Sequence, residues 1–175
     1  DHLIENTQEF IRVLEEGRLE AEKGKLVTFG IIPSSPETGY GYIEAAEPLD
    51  SRNCKGSQIT KFIEKPDEAT AKQLISDSKY TWNSGIFLFK ASIILKELER
   101  LVPEIVNHCK AAIDKDLTDL DFLRLESEAF KQCPDIAIDI AIMEKTKLGV
   151  VFPLNAGWSD VGSWSALWEK SKKDN

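Results

Sequence analysis

Pro66 constrains this chain more than any other residue. It follows Lys61-Phe62-Ile63-Glu64-Lys65, where apolar residues alternate as at the end of a β-strand, and a residue without an N–H cannot continue the ladder. Glu64 and Lys65 are thereby fixed at a strand's C-terminal end, the edge at which open α/β sheets bind ligands. A neighbouring carboxylate and ammonium there suit a polyol hydroxyl and a phosphate respectively. Taken alone, the pair reads at least as readily as a solvated charge pair before a turn.

Around that strand, short β-branched runs alternate with stretches of helical period, the pattern of an α/β domain. Residues 7–23 carry Phe10, Ile11, Leu14 and Leu19 at helical spacing, and Gly24 suits a left-handed cap. A buried strand is expected at 26–32, closed by Pro33. The Pro-, Ser- and Gly-rich segment 33–42 is a loop in which Gly39 and Gly41 flank Tyr40. Without Cβ atoms, the main chain there could approach a ligand closely; the same dipeptides also make a simple tight turn. A short strand at 41–46 and a polar loop at 48–56 lead back to the strand ending at Ile63.

Asp67 is placed to cap a helix over 68–76. Residues 80–89 are the most strand-like in the chain, but Asn83-Ser84-Gly85 interrupts their register, which marks a bulge or a close approach by another group. Asn83 can both donate and accept, as sugar hydroxyls require, or can cap the bulge. Helices are expected over 91–102, 104–114 and 120–132, forming a layer on the sheet. The alternating stretch 135–145 is read as a short helix with Asp139 near its start. A last strand at 149–154 precedes Asp160, a carboxylate on a bend between Trp158 and Gly162, suited to capping a helix from Ser163 or to holding a hard cation.

A length of 175 residues with 42% hydrophobic content supports one domain with a true core, and the net charge of −8 argues against a nucleic-acid surface. No apolar run reaches the roughly 18 residues that would span a bilayer, and no secretory leader is apparent, so a soluble, cytoplasmic protein without a membrane partner is expected. Cys54, Cys109 and Cys133 are too widely spaced for a zinc site and read as reduced thiols. No glycine-rich phosphate loop occurs. With Asp1 opening the sequence and no cap before Leu3 and Ile4, the chain reads as cut from something longer. Self-association as a homodimer is left open.

Five segments in fixed order, TFGIIPSSPETGYGYIE at 28–44, KFIEKP at 61–66, WNSGIFLFK at 82–90, DIAIMEKT at 139–146 and WSDVGSW at 158–164, closely resemble the nucleotide-sugar pyrophosphorylases, and among them the bacterial mannose-1-phosphate guanylyltransferases. The resemblance covers nearly the whole chain. It implies a glycosyltransferase-A-like, doubly wound α/β mixed sheet with a helical layer, truncated at the N-terminus, from an enzyme joining mannose 1-phosphate to GTP to give GDP-mannose and pyrophosphate. It implies Mg2+ held by Asp1, at the end of a central strand, and by Asp160. Gly39, Tyr40 and Gly41 correspond to the loop touching the sugar, Glu64 to the acid binding mannose hydroxyls, Lys65 to the base meeting the sugar phosphate, and Asn83 and Gly85 to the segment closing over the hexose. Asp1, Lys65 and Asp160 are thus the expected catalytic residues, while Asp139 receives no firm role.

The triphosphate-gripping signature of that family is not in these residues. Residues 1–169 are therefore expected to be the sugar-binding C-terminal portion of a catalytic domain, inactive as a transferase alone, with 170–175 a charged tail or linker. A glucose-1-phosphate nucleotidyltransferase and a non-catalytic sugar-nucleotide-binding module are the alternatives; retention of Asp1, Glu64, Lys65 and Asp160 favours an enzyme.

Overall fold

The computed structural model describes residues 1–114, 117–119, 121–162, 164, 167, 168 and 171. In chain order the elements are β1 (His2–Ile4), α1 (Thr7–Glu22), β2 (Leu26–Ile31), β3 (Tyr42–Ala45), β4 (Ser57–Ile63), α2 (Glu68–Leu74), β5 (Tyr80–Leu88), α3 (Ala91–Leu101), α4 (Pro103–Ile113), β6 (Leu117–Asp119), β7 (Phe122–Arg124), α5 (Ser127–Lys131), a π-helical turn (Asp139–Met143), β8 (Gly149–Pro153) and β9 (Trp158–Asp160). Of the final helix expected from Ser163 and the tail at 170–175, only Trp164, Leu167, Trp168 and Ser171 are among the described residues.

The main sheet is mixed. β2 pairs in parallel with β8 and antiparallel with β5, and β3 lies between β5 and β4. Helices cover both faces because β2 and β8 alternate. Leu26 and Val151 point into one core with Ile94, Val102 and the π-turn residues Ala141, Ile142 and Met143. Val27, Phe29, Val150 and Phe152 point into another with Val13 and Ala21 of α1. This is the doubly wound α/β arrangement expected from the sequence. A further feature is that β4 also pairs with β8 through Ser57 and Gln58, so the pairing closes on itself. Gly56 allows that approach, since a Cβ there would lie 2.5 Å from Phe152 Cε2.

Local signals hold where they rest on single-residue physics. Gly24 adopts φ +89° behind α1, and the Asp67 carboxylate accepts from Thr70 N–H at 2.7 Å to cap α2. The helix expected over 120–132 does not form as such: β6 and β7 make a hairpin closed at Asp119↔Phe122, and only Ser127–Lys131 is helical. Its apolar residues gain no burial, since Phe122, Leu123, Leu125 and Phe130 are all exposed, and helical spacing without a surface to cover does not stabilise a helix. The stretch around Asp139 is helical as expected but wound as a π turn, with Glu144 N–H donating to Asp139 C=O at 2.9 Å.

Among the described residues, Glu97 of α3 is the charged residue the core accommodates. Only 7% exposed, it accepts two hydrogen bonds from Arg100, at 2.9 and 2.8 Å, and one from the Thr146 hydroxyl, which in turn accepts from Leu148 N–H. The Arg100 hydrogen bonds hold its carboxyl below the ordinary 4.5, with the Thr146 hydroxyl adding to them against the opposing effect of burial. A depressed carboxyl stabilises the fold above its unfolded pKa, and that contribution is lost as pH falls through the folded value. Glu97→Ala is expected to lower stability by about 2 kcal/mol at neutral pH. The gap from wild type in urea midpoint should shrink as pH falls below about 4; a gap constant down to pH 3 contradicts the assignment.

Candidate active site

The pairings of β3, β4 and β5 bring one edge of the sheet together. Tyr42 pairs with both Ile63 and Trp82, so the loop before β3, the turn after β4 and the middle of β5 converge. They enclose a cavity of about 210 Å³ lined by Gly39, Tyr40, Gly41, Glu64, Lys65, Asn83, Ser84 and Gly85, with His2, Asp139, Trp158 and Asp160 completing it. Every expected substrate-binding residue is in that wall. Among the expected metal-holding residues, Asp160 lines it and Asp1 does not.

Glu64 is largely enclosed, its side chain 19% exposed, and the Lys65 ammonium lies 3.3 Å from its Oε1. The main chain turns sharply here, with Lys65 at φ +44°, a left-handed conformation that costs a non-glycine residue about 1 kcal/mol and recurs at functional sites. Gly41 is required for a reason its sequence context does not show. Its φ is not left-handed, but a Cβ would lie 2.7 Å from Glu64 Oε2, so the missing side chain makes room for the carboxylate. At Gly39 a Cβ would meet nothing within 4 Å, and the space beside it is open.

The interruption in β5 is a bulge: Thr28 pairs with Phe87 and Gly30 with Asn83, leaving Ser84, Gly85 and Ile86 opposite Phe29 alone, with Gly85 at φ +73°. Asn83 is 9% exposed and held at both ends. Its Oδ1 accepts from the Thr28 hydroxyl at 2.9 Å, and its Nδ2 donates to Asp139 Oδ1 at 3.0 Å. Asp139 thus enters the site from the start of the π turn, a local geometry that frequently accompanies functional positions.

β1 and β9 form a two-stranded antiparallel ribbon, not part of the main sheet, with His2 opposite Asp160 and Ile4 opposite Trp158. Asp1 consequently precedes a ribbon strand, not a central one. Its carbonyl accepts from Val161 N–H at 2.7 Å, so it adjoins Asp160 in space, while its side chain is fully exposed and lines a neighbouring cavity with Val161, Gly162, Trp164 and Leu167. Trp158 and Asp160 are two apart on a strand and share one face. Tyr40 stands edge-on to Trp82 at 5.3 Å and to Trp158 at 5.6 Å, giving the cavity an aromatic wall. Burial, and then the charge of Asp160, push the Tyr40 hydroxyl above its ordinary pKa.

Glu64, Asp139 and Asp160 outnumber the one lysine, so the cavity accepts hydrogen bonds from hydroxyls and attracts cations. Among the described residues no cluster of three or more His, Cys, Asp or Glu is arranged to enclose a metal. Sequence reasoning gave no role to His2, Ser84 or Trp158. The period-2 relation of Trp158 to Asp160 was the available signal; His2 and Asp139 depend on pairings distant in sequence.

A mixed sheet wound on both faces, with a small acidic cleft beyond one strand's carboxyl end, defines an α/β domain of the ligand-binding kind. The sequence model of the nucleotidyl transferase family matches residues 1–175. The chain belongs to that family. It is 48% identical over 178 residues to a mannose-1-phosphate guanylyltransferase of Salmonella montevideo, covering 100% of this chain and 38% of the relative. Against a putative mannose-1-phosphate guanylyltransferase of Vibrio cholerae identity is 49% over 174 residues, covering 99% and 37%. The chain thus spans under two-fifths of these relatives' length. A crystal structure of mannose-6-phosphate isomerase from Helicobacter pylori superposes with TM-score 0.79 at 34% identity, covering 91% of this chain and 61% of that one. Among the described residues no helix is long and apolar enough to cross a membrane.

Proposed function

We propose that this chain is the sugar-phosphate-binding portion of a mannose-1-phosphate guanylyltransferase, the enzyme that joins mannose 1-phosphate to GTP with release of pyrophosphate. The observation carrying this reading is that Gly39, Tyr40, Gly41, Glu64, Lys65, Asn83, Gly85 and Asp160, distant in sequence, line one cavity of hexose size. Glu64 accepts from mannose hydroxyls, with Gly41 leaving it room. Lys65 meets the sugar phosphate, and the aromatic edges of Tyr40 and Trp158 border the hexose. Asn83 keeps one amide hydrogen beyond that given to Asp139, available to a sugar oxygen.

Asp160, with Asp1 beside it, would hold Mg2+, which would supply neutralisation of phosphate charge there. The protein's own contribution is alignment: it holds the sugar phosphate so that its oxygen faces the nucleotide's α-phosphorus. GTP is gripped by the family's glycine-rich signature, absent from these 175 residues, so the chain alone is expected to bind mannose 1-phosphate without forming GDP-mannose.

Calorimetric titration with mannose 1-phosphate in MgCl2 tests this. Binding is expected with the wild-type chain and about tenfold weaker binding with Lys65→Ala, in line with loss of a charge-assisted contact to phosphate. Absence of binding to the wild type, or GDP-mannose formed by the chain from GTP, contradicts the reading.

A further inference from the structure

Two cysteines that do not line the sugar cavity are brought together by the packing of α4 against α5. On α4, Val106, Cys109 and Ala112 recur every third residue; Val106 and Ala112 are buried and Cys109 is half-buried. Within 126–133 the half-buried residues are Glu126, Ala129 and Cys133, spaced by three and then four, and the residues between them are exposed. These rows are the facing sides of two helical segments. Their register is fixed at one end, where Glu126 N–H donates to Ala112 C=O at 2.8 Å. From that bond the rows run in opposite directions, and Cys133, whose N–H continues the helical turn by donating to Phe130 C=O at 3.0 Å, comes against Cys109. Burial, and then the Cys109 thiol beside it, push the Cys133 thiol above its ordinary 9.0. Among the described residues no third His, Cys, Asp or Glu completes a metal-holding cluster with this pair.

We propose that Cys109 and Cys133 are a modification site at which a small-molecule disulfide of the glutathione class oxidises the pair to a reversible intrachain disulfide, clasping residues 110–132 onto α4. The enclosed segment has reason to need a clasp. It holds the β6–β7 hairpin, which pairs with no strand of the main sheet, and its Phe122, Leu123, Leu125 and Phe130 are exposed. Apolar burial holds it down only weakly, and a covalent bond across its base restricts how far it opens. The chemistry is two exchanges. One cysteine thiolate attacks a sulfur of the small disulfide RSSR, forming a mixed disulfide and releasing a thiolate RS⁻; the second cysteine thiolate attacks the protein sulfur of that mixed disulfide, closing the Cys109–Cys133 bond and releasing a second RS⁻. Two protein thiols are oxidised, one small disulfide is reduced to two thiols, and the two cysteine protons end on those thiols. Because Cys133 is held protonated at neutral pH, the pair rests as a dithiol and closes faster as pH rises. None of this depends on what occupies the cavity.

Incubation of the chain with oxidised glutathione near pH 8.5, followed by alkylation in denaturant and a non-reducing tryptic map, tests this. Peptide 101–110, which carries Cys109, should appear joined to peptide 132–145, which carries Cys133, while Cys54, buried in the core under α1, is recovered alkylated. Excess reduced glutathione should reopen the bond. In the native chain, tryptic cleavage after Arg124 should be about tenfold slower in the oxidised form than in the reduced form. Cys109→Ser should give no joined peptide, and its cleavage after Arg124 should be the same with and without oxidised glutathione. Glutathione adducts on Cys109 or Cys133 with no joined peptide, a bond through Cys54 or between two chains, a bond that excess reduced glutathione leaves intact, or equal cleavage rates in the two forms would each overturn the proposal.

Discussion

Gly30→Ala is expected to lower the stability of the fold by about 3 kcal/mol, the upper range for overpacking a well-filled core. Gly30 lies in β2 between β5 and β8, opposite Asn83 on one side and Pro153 on the other. A Cβ at this position would overlap the Thr81 hydroxyl and come within 2.9 Å of both Thr81 Cβ and Val151 Cγ2. Thr81 and Val151 are fully buried, so neither has solvent to move into. Against a total stability of roughly 5–15 kcal/mol, such a loss brings the chain close to unfolding at ordinary temperature. Thr81→Ala in the same background removes the hydroxyl but keeps the Thr81 Cβ contact, so only partial recovery is expected. Urea denaturation of the two variants and wild type measures it. A Gly30→Ala midpoint equal to wild type would mean that the strands separate more easily than this packing implies.

Glu64→Ala should weaken mannose 1-phosphate by about 30- to 100-fold, the loss of one or two hydrogen bonds to a charged acceptor, with little change in stability. The carboxylate sits in the cavity wall at a strand end, beside the Lys65 ammonium. Gly41→Ala offers a separate approach to the same atom. Its new methyl would stand 2.7 Å from Glu64 Oε2 and 3.2 Å from Phe62 Cε1, and the carboxylate end of a flexible side chain yields more easily than a core ring. Displacement of Glu64 should then reduce affinity about tenfold although the carboxylate remains. The double variant should lose little more than Glu64→Ala alone, because both act on one interaction. Additive losses in calorimetric titrations would show that Gly41 acts through the ligand directly and not through Glu64.

Some of this was legible without coordinates, for physical reasons that are local. A residue lacking an N–H ends a strand, so Pro66 placed Glu64 and Lys65; a glycine tolerates left-handed φ, so Gly24 ended α1; a carboxylate reaches the N–H three residues on, so Asp67 began α2. The break at Asn83-Ser84-Gly85 announced its bulge by interrupting a period of two. The same reasoning failed at 120–132, because helical spacing states which residues would share a face and not whether anything lies opposite to cover them.

Sequence by itself determined most of the element types, though not the hairpin within 117–124 or the β1–β9 ribbon, together with the strand end carrying Glu64 and Lys65, and the family, through five short segments in order. Tertiary structure alone decided that β4 meets β8 at Gly56, that Gly41 is small because Glu64 stands against it, that Asp139 accepts from Asn83, and that His2 accepts from the Trp158 N–H. Each of these depends on register between strands or turns far apart in the chain. Register is set by the burial of whole faces at once, which no single stretch of residues encodes.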